Sequence, residues 1–341
     1  MNTLTRHIQL LYQLIYNNSK LQSLVTVETL LEFNQNQAQY KIESFTLGST
    51  NPTSPTFFIV GGIHGLERIG AELCCSLLNS ILNRVLWDKT LQHILKNIRM
   101  IFIPFANPYG FVNYSRCNKN GVDLMRNSPV DAEEKVPFLL GGQRYSSRLP
   151  WYRGQPGIIE DENMAIINKF FNSCSESKCV ISLDLHSGFG FRDRLWFPYS
   201  KTKKPFEHLP EMHFFTQLFE STHPYHVYCI EPQSYGYLLN GDLWDYIYLE
   251  FLRKNKNTYL PLTLEMGSWI WVKKNPLQII SKHGMFNPIK DHRIKRTFRR
   301  HHILFDFIIK SLYSFESWSC LNEIERQNHF HHSLDTWYGK N

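Results

Sequence analysis

The segment Phe58-Ile-Val-Gly-Gly-Ile-His64-Gly-Leu-Glu67 joins an apolar run to a glycine-rich turn and then to two potential metal ligands. A short apolar run that stops at paired glycines is typical of a buried strand. A second apolar run, Val180-Ile-Ser-Leu-Asp-Leu-His186, also ends in a histidine. Open α/β sheets carry their sites at the carboxyl ends of their strands, so we expect the three polar side chains to meet there.

These three residues suit a catalytic zinc ion. Two histidines and one carboxylate leave a fourth position for water, which is typical of hydrolytic rather than structural zinc sites. His-x-x-Glu alone is weak evidence for a metal site. His186 alone is weak evidence too, because a histidine at the end of a strand is usually a hydrogen-bonded structural residue. The hypothesis therefore depends on the rest of the chain.

The order of elements predicts the fold class. Strand-like segments and segments with helical spacing alternate along the chain; the clearest strands are 39–47, 56–62, 99–105 and 259–266, and the clearest helices are 66–82, 161–171, 209–221 and 295–313. Alternation of this kind predicts an α/β fold with a mixed, mostly parallel central sheet and helices on both faces.

The same pass along the chain suggests its domain organisation. We expect one domain over residues 1–315, with a helix over 1–32 packed on it and a long loop over 128–160. From about 316 to 341 the sequence is polar and lacks periodicity, which predicts a C-terminal tail.

Composition and charge limit the partners. The chain has 341 residues, 43% of them hydrophobic, which is ample for one large domain. Much of the net charge of +7 lies between Lys290 and Arg300. This stretch favours the solvated face of a helix over a site for nucleic acid or an acidic lipid surface, so no nucleic-acid partner is expected.

The expected location is cytoplasmic. No uncharged apolar run reaches the length of a membrane span, and the N-terminus lacks a basic region followed by a clean apolar stretch. Seven cysteines without a Cys-x-x-Cys spacing argue weakly for a reducing compartment. Export without a cleavable signal stays open.

Further polar groups follow or interrupt segments that should be buried. Asn107-Pro-Tyr-Gly110 is followed by Arg116 and then by Gly121-Val-Asp-Leu-Met-Arg-Asn127, and Glu265 interrupts the apolar run 259–266. A buried carboxylate is costly unless it is paired or used in chemistry. The structural alternative for Glu265 is a partner for a nearby arginine.

Taken in this order, the motifs resemble the zinc carboxypeptidase family, the metallocarboxypeptidases related to carboxypeptidase A, over roughly residues 55–270. The resemblance implies one Zn²⁺ ion held by His64, Glu67 and His186. It implies that Glu265 is the general base and acid that works on the zinc water, and that Arg116 polarises the scissile carbonyl.

The resemblance also implies the groups that position substrate. Arg126 matches the residue that binds the terminal carboxylate of the substrate, and Asn127 beside it is a further candidate contact. Asp123 matches the carboxylate that orients the first histidine ligand. Tyr235, nine residues before Trp244, matches the tyrosine that caps the substrate, with Tyr237 as the alternative.

One position departs from the family pattern. The family usually reads Asp-x-Asn-Arg-Asn, whereas this chain reads Asp123-Leu-Met125-Arg126-Asn127. Met125 thus replaces an amide that helps to hold the substrate carboxylate, although Arg126 can still form a bidentate pair.

The expected activity is hydrolysis of the C-terminal residue of a peptide or protein. Two alternatives remain. Succinylglutamate desuccinylases and aspartoacylases share a Gly-Gly-x-His-Gly-x-Glu segment and cleave small N-acyl amino acids, so a small amidic substrate is possible. The third hypothesis is a non-catalytic binding module on the same fold. Turnover of peptides against acyl amino acids separates the first two, and zinc content together with any turnover separates both from the third.

Overall fold

The computed structural model of the protein describes residues 3–281 and 283–339. The strands are β1 (Val25–Gln35), β2 (Ala38–Gly48), β3 (Thr56–Gly61), β4 (Arg99–Ile103), β5 (Cys179–Ser187), β6 (Arg194–Phe197), β7 (Cys229–Pro232) and β8 (Thr258–Met266). The helices are α1 (Thr3–Tyr16), α2 (Ser19–Leu24), α3 (Arg68–Arg84), α4 (Lys89–Ile94), α5 (Pro108–Asn113), α6 (Asp161–Cys174), α7 (Leu209–Thr222), α8 (Leu243–Lys254), α9 (Trp269–Lys274), α10 (Asp291–Tyr313), α11 (Glu316–Ser319) and α12 (Glu323–Ser333).

The eight strands form one sheet in the order β1-β2-β4-β3-β5-β8-β6-β7. The central strands β4, β3, β5 and β8 run parallel, while β1, β2 and β6 join by antiparallel pairing. The predicted mixed, mostly parallel sheet is confirmed. Its parallel part is built from short, fully buried, apolar strands, as expected where both faces are covered.

Two neighbouring residues of β3 show that helices cover both faces. Phe57 packs on Phe305 of α10, with ring centroids 5.2 Å apart. Phe58 packs instead on Phe170 of α6, at 5.3 Å, and on Trp244 of α8. Successive strand residues point to opposite faces, so α10 lies on one face of the sheet and α6 and α8 lie on the other.

The predicted helix over residues 1–32 is wrong over residues 25–32. The helical stretch ends at Leu24, and Val25–Gln35 is a strand that pairs with β2 from Val25↔Leu47 to Gln35↔Ala38. The hairpin turns through Asn36 and Gln37, both at positive φ. The polar residues of this segment hid the strand, because its stability comes from pairing with β2 rather than from a local pattern.

The predicted C-terminal tail is also wrong. Residues 316–338 form α11, α12 and a π-helical turn, and this segment packs against the domain. Trp318 and Trp337 are buried in the main core, at 1% and 5% exposure. Trp337 packs edge-on against Phe197 of β6 and donates a hydrogen bond to the Ile230 carbonyl. These two large aromatic side chains anchor a segment in which most other residues are polar.

Candidate metal centre and active site

Three adjacent parallel strands bring the predicted groups together at their carboxyl ends. Gly61 at the end of β3 lies opposite Leu185 of β5, and His186 lies opposite Glu265 of β8. His64 and Glu67 follow β3 in a tight turn that begins at Gly62, which has φ +69°. The site is therefore fixed by sheet register, as expected for open α/β sheets.

The turn that carries His64 is held by the Asn-Pro-x-Gly motif. Asn107 donates its backbone N–H to the Gly62 carbonyl, and its side-chain amide donates to the Ile63 carbonyl at 3.3 Å. Its side-chain oxygen accepts from the Gly110 N–H and caps α5. A Cβ on Gly65 would lie 2.0 Å from the Gly110 carbonyl carbon, so only glycine allows the two loops to approach this closely.

The ligand atoms of His64, Glu67 and His186 all lie within 4.8 Å of one another, and the three residues are buried. Glu67 accepts hydrogen bonds from the Ser187 N–H at 2.9 Å and pairs with His186 Nδ1 at 3.0 Å. These contacts aim the carboxylate and the ring at the same point.

The donor set fits a zinc ion. His64 Nδ1 is buried and has no hydrogen-bond partner among the described residues, which is unusual for a ring nitrogen unless it binds something else. Burial lowers the pKa of His64 to about 3, so its imidazole is neutral, the form that ligates metals. Two histidines and a carboxylate form a ligand set of catalytic zinc sites.

Asp184 is a further residue of the site that was not predicted from the sequence. Its Oδ2 atom lies 2.6 Å from His186 Nε2 and accepts a hydrogen bond from the Trp244 indole at 2.7 Å. A carboxylate in this position fixes the orientation of the imidazole and raises its basicity. Burial opposes protonation of His186, but Asp184 and Glu67 outweigh it and raise the pKa of the ring. The signal was present: an aspartate in an otherwise apolar strand, two residues before the histidine and on the same strand face.

Glu265 lies beside the metal-ligand cluster, on the neighbouring strand. Its carboxylate accepts one hydrogen bond, from the Phe189 N–H at 3.0 Å. Burial, together with the Glu67 carboxylate, raises the pKa of Glu265 to about 8. No arginine pairs with Glu265 among the described salt bridges, so the structural alternative considered for this residue is not what the structure shows.

Arg116, Asp123 and Arg126 form a buried charge network beside the ligands. Arg116 pairs with Asp123 at 2.9 Å and with Glu67 at 3.0 Å, and its Nη2 atom lies 2.7 Å from His64 Nε2. Asp123 also accepts from Arg126 at 3.1 Å and lies 3.7 Å from His64 Nδ1. Asp123 thus positions both arginines and stands next to the first histidine.

Six of these side chains line one central cavity of about 760 Å³: His64, Glu67, His186, Glu265, Arg116 and Arg126. Met125, at the position that departs from the family pattern, lines the same cavity. Arg126 is 1% exposed, and its Nη2 atom has no hydrogen-bond partner among the described residues. The cavity therefore combines a metal-ligand cluster, a carboxylate of raised pKa and an unsatisfied guanidinium nitrogen.

The structure corrects the choice of tyrosine. Tyr235 is 46% exposed, packs against Tyr338 and does not line the cavity. Tyr237 lines it instead, and its ring packs on Phe189 and Trp196. Tyr235 ends a 3-10 turn over Gln233–Tyr235 and faces away from the cavity, so Tyr237, the alternative, has the better position; the capping role of either tyrosine stays a prediction.

Asn127 is also corrected. It is 1% exposed and does not line the cavity. Its amide donates to the carbonyls of Arg153 and Ile158, and its side-chain oxygen accepts from the Glu160 N–H. Asn127 therefore holds the loop that precedes α6, and its side chain has no free group for a substrate.

Comparisons with known proteins agree with this geometry. The model of a protein family described as zinc carboxypeptidase matches residues 23–268. Carboxypeptidase SOL1 of Arabidopsis thaliana is 39% identical over 84 residues, which cover 25% of this chain and 16% of that protein. The human carboxypeptidase N catalytic chain is 27% identical over 180 residues, which cover 47% of this chain and 36% of that protein. The chain thus spans well under two thirds of the length of these relatives.

Solved structures share the fold. The thrombin activatable fibrinolysis inhibitor superimposes with a TM-score of 0.67 at 19% identity, over 90% of this chain and 74% of the other. Carboxypeptidase A of Helicoverpa armigera gives a TM-score of 0.63 at 16% identity, over 89% of this chain and 71% of the other. At these identities the likeness shows the fold alone.

Proposed function

Because this chain belongs to the zinc carboxypeptidase family, we propose that it is a zinc-dependent hydrolase that removes the C-terminal residue of a peptide or protein. His64, Glu67 and His186 would hold one zinc ion. The names of its relatives, which are carboxypeptidases from plants and animals, support the same substrate class.

The observation that carries this proposal is the position of Arg126. The guanidinium is buried in the wall of the cavity that also holds the metal-ligand cluster, and within the described part of the chain its Nη2 atom has no hydrogen-bond partner. A free carboxylate is the natural partner for such a group, because charge-assisted hydrogen bonds to arginine are strong and directional. Arg126 thus supports recognition of a chain end rather than of an internal peptide bond.

Zinc bound at this cluster would supply a Lewis acid and lower the pKa of its bound water. The residues of the chain do the rest. Glu265, whose pKa a bound cation would lower toward the carboxylate form, takes a proton from the attacking water and later returns it to the leaving amine. Arg116 donates to the carbonyl oxygen as negative charge develops there; a positioned donor of this kind contributes about 3–4 kcal/mol. Tyr237 and Phe189 narrow the cavity and help to exclude water.

The activity is tested with paired peptides that differ only in a free or amidated C-terminus, each assayed with and without a metal chelator. We expect cleavage of the free acid, loss of cleavage with chelator and restoration with zinc. Equal cleavage of acid and amide would overturn the exopeptidase proposal. Turnover of N-acyl amino acids without turnover of peptides would assign the site to the deacylase alternative.

The metal site is tested separately. Purified wild type should carry one zinc per chain, and the double variant His64→Ala, His186→Ala should carry none after the same purification. The variant His93→Ala, which changes an exposed surface histidine, is the matched control and should keep its zinc. Equal zinc in the double variant and wild type would contradict the assignment.

A further inference from the structure

A surface outside the cavity carries exposed aliphatic side chains where a solvated loop is expected. Between α9 and α10, Leu277, Ile279, Ile280, Met285 and Ile289 are 76%, 53%, 82%, 51% and 40% exposed. Large apolar side chains grouped in this way on a water-facing surface mark an interaction site, whereas single ones do not. We call these residues, with α9 and the first turn of α10, the α9–α10 surface.

Exposed lysines lie on both sides of these apolar residues in the sequence. Lys273 and Lys274 end α9, Lys290 precedes α10, and all three are exposed without a salt bridge to the described residues. Arg293 donates to the carbonyls of Trp271 and Lys274, so the start of α10 is fastened beside the end of α9 and the cations lie close together. The single acidic residue between Trp269 and Arg300 is Asp291.

We propose that the α9–α10 surface binds the face of an anionic lipid bilayer. Exposed aliphatic side chains beside lysines are the combination that holds a protein in a membrane interface: the apolar groups enter the acyl boundary, and the lysines meet the lipid phosphates. No helix among the described residues is long and apolar enough to cross a membrane. This inference does not depend on the proposed activity.

The chemistry of the surface separates this occupant from two others. A nucleic acid would use the cations but would leave Leu277, Ile279 and Ile280 in water, because aliphatic side chains offer no stacking partner to bases. A second copy of the chain, paired through the same patch, would bring the lysines of one copy against those of the other. An anionic bilayer satisfies both the charges and the apolar groups.

The position of this surface relates it to the cavity. An apolar groove of about 330 Å³ within it is lined by Phe191, Trp269, Val272, Lys273, Ile279 and Met285. Trp269 also lines the central cavity. A bilayer on the α9–α10 surface would therefore lie beside the mouth of the cavity.

The test is flotation of the full chain with vesicles of phosphatidylcholine alone and of phosphatidylcholine mixed with phosphatidylserine. We expect binding to the anionic vesicles only, weakened by salt. Lys273→Ala with Lys274→Ala should weaken it about 30-fold, at about 1 kcal/mol for each lysine. Leu277→Ser with Ile280→Ser should weaken it about tenfold or more through lost apolar burial.

Matched control variants distinguish binding through this surface from non-specific binding to vesicles. Ile324→Ser changes an isoleucine of similar exposure, 73%, on α12, and Lys256→Ala changes an exposed lysine after α8. Both should bind vesicles as wild type does, and all variants should keep the wild-type melting temperature. Equal binding to both kinds of vesicle, or unchanged binding in both surface variants, would overturn the proposal. Binding to oligonucleotides but not vesicles, or self-association lost in the Leu277, Ile280 variant, would assign the surface to a nucleic acid or to a second copy.

Discussion

The two ends of the central cavity are built differently. At the metal end, His186 and Glu265 lie within strands, His64 and Glu67 lie in the turn that ends β3, and all four have fixed contacts to backbone or side chains. At the recognition end, Met125 and Arg126 lie in a 3-10 turn between long loops, and Tyr237 follows a short edge strand. If the proposed roles hold, strands and a tightly held turn carry the groups that act on the scissile bond, and loops carry the contacts that select substrate.

The strongest test of this division removes the proposed base from the metal end. Glu265→Gln should lower kcat about 10⁴-fold, because an amide cannot accept the proton of the water. Zinc content should not change, since Glu265 is not among the three ligands. Steady-state kinetics and metal analysis check both parts, with Glu176→Gln, an exposed position, as control. Retention of most of kcat would mean that another group is the base.

A change at the recognition end should depend on the substrate instead. Arg126→Ala should lower kcat/KM for a free-acid peptide about 100-fold, because it removes one partner of a buried charge pair. Cleavage of the matching amide, already slow, should change little. An equal loss on both substrates would show that Arg126 acts through the charge network around Asp123 rather than on the substrate carboxylate.

Ionisation of the buried Glu265 carboxyl should lower the free energy of unfolding. A pKa of about 8 for Glu265 lies above the ordinary value of 4.5, so the folded state binds the proton more tightly than the unfolded chain. The free energy of unfolding of chelator-treated wild type should therefore fall, relative to Glu265→Gln, as the pH rises from near 4.5 to near 8, by about 1 kcal/mol per pH unit, and level off above. Denaturant unfolding at several pH values measures the difference in free energy of unfolding between wild type and Glu265→Gln. Added zinc should make this difference depend less on pH, because a nearby cation favours the carboxylate. If the difference in free energy of unfolding between the two proteins does not vary with pH, Glu265 does not titrate in this range.

The smallest expected effect concerns Met125. Because the side chain of Asn127 is engaged in the loop, Asn127 does not replace the donor that Met125 lacks. Met125→Asn should lower KM for free-acid peptides about fivefold, the worth of roughly one hydrogen bond. Met164→Asn, a half-exposed methionine on α6, is the control. An unchanged KM would mean that water already fills this role.

Much of the site could be predicted because its chemistry lies in short motifs. His64, Glu67, His186 and Glu265 each follow or interrupt an apolar strand, and a parallel sheet brings the carboxyl ends of its strands together. Asp184 was missed although the sequence carried a local signal for it. A buried aspartate in a largely apolar strand needs a partner, and His186 is that partner.

The amino-acid sequence by itself determined the class of fold and the candidate ligands His64, Glu67 and His186, because alternating apolar periods and strand-end polar groups are local properties. The roles expected of Arg116 and Arg126 came instead from the resemblance of the ordered motifs to the zinc carboxypeptidase family. Only the tertiary structure decided that Tyr237 rather than Tyr235 lines the cavity, that Asn127 serves a loop, and that residues 316–338 pack on the domain. The direction of a loop side chain and the docking of a polar segment depend on contacts between residues far apart in the chain. Trp337 illustrates this, since its partner Phe197 lies on β6.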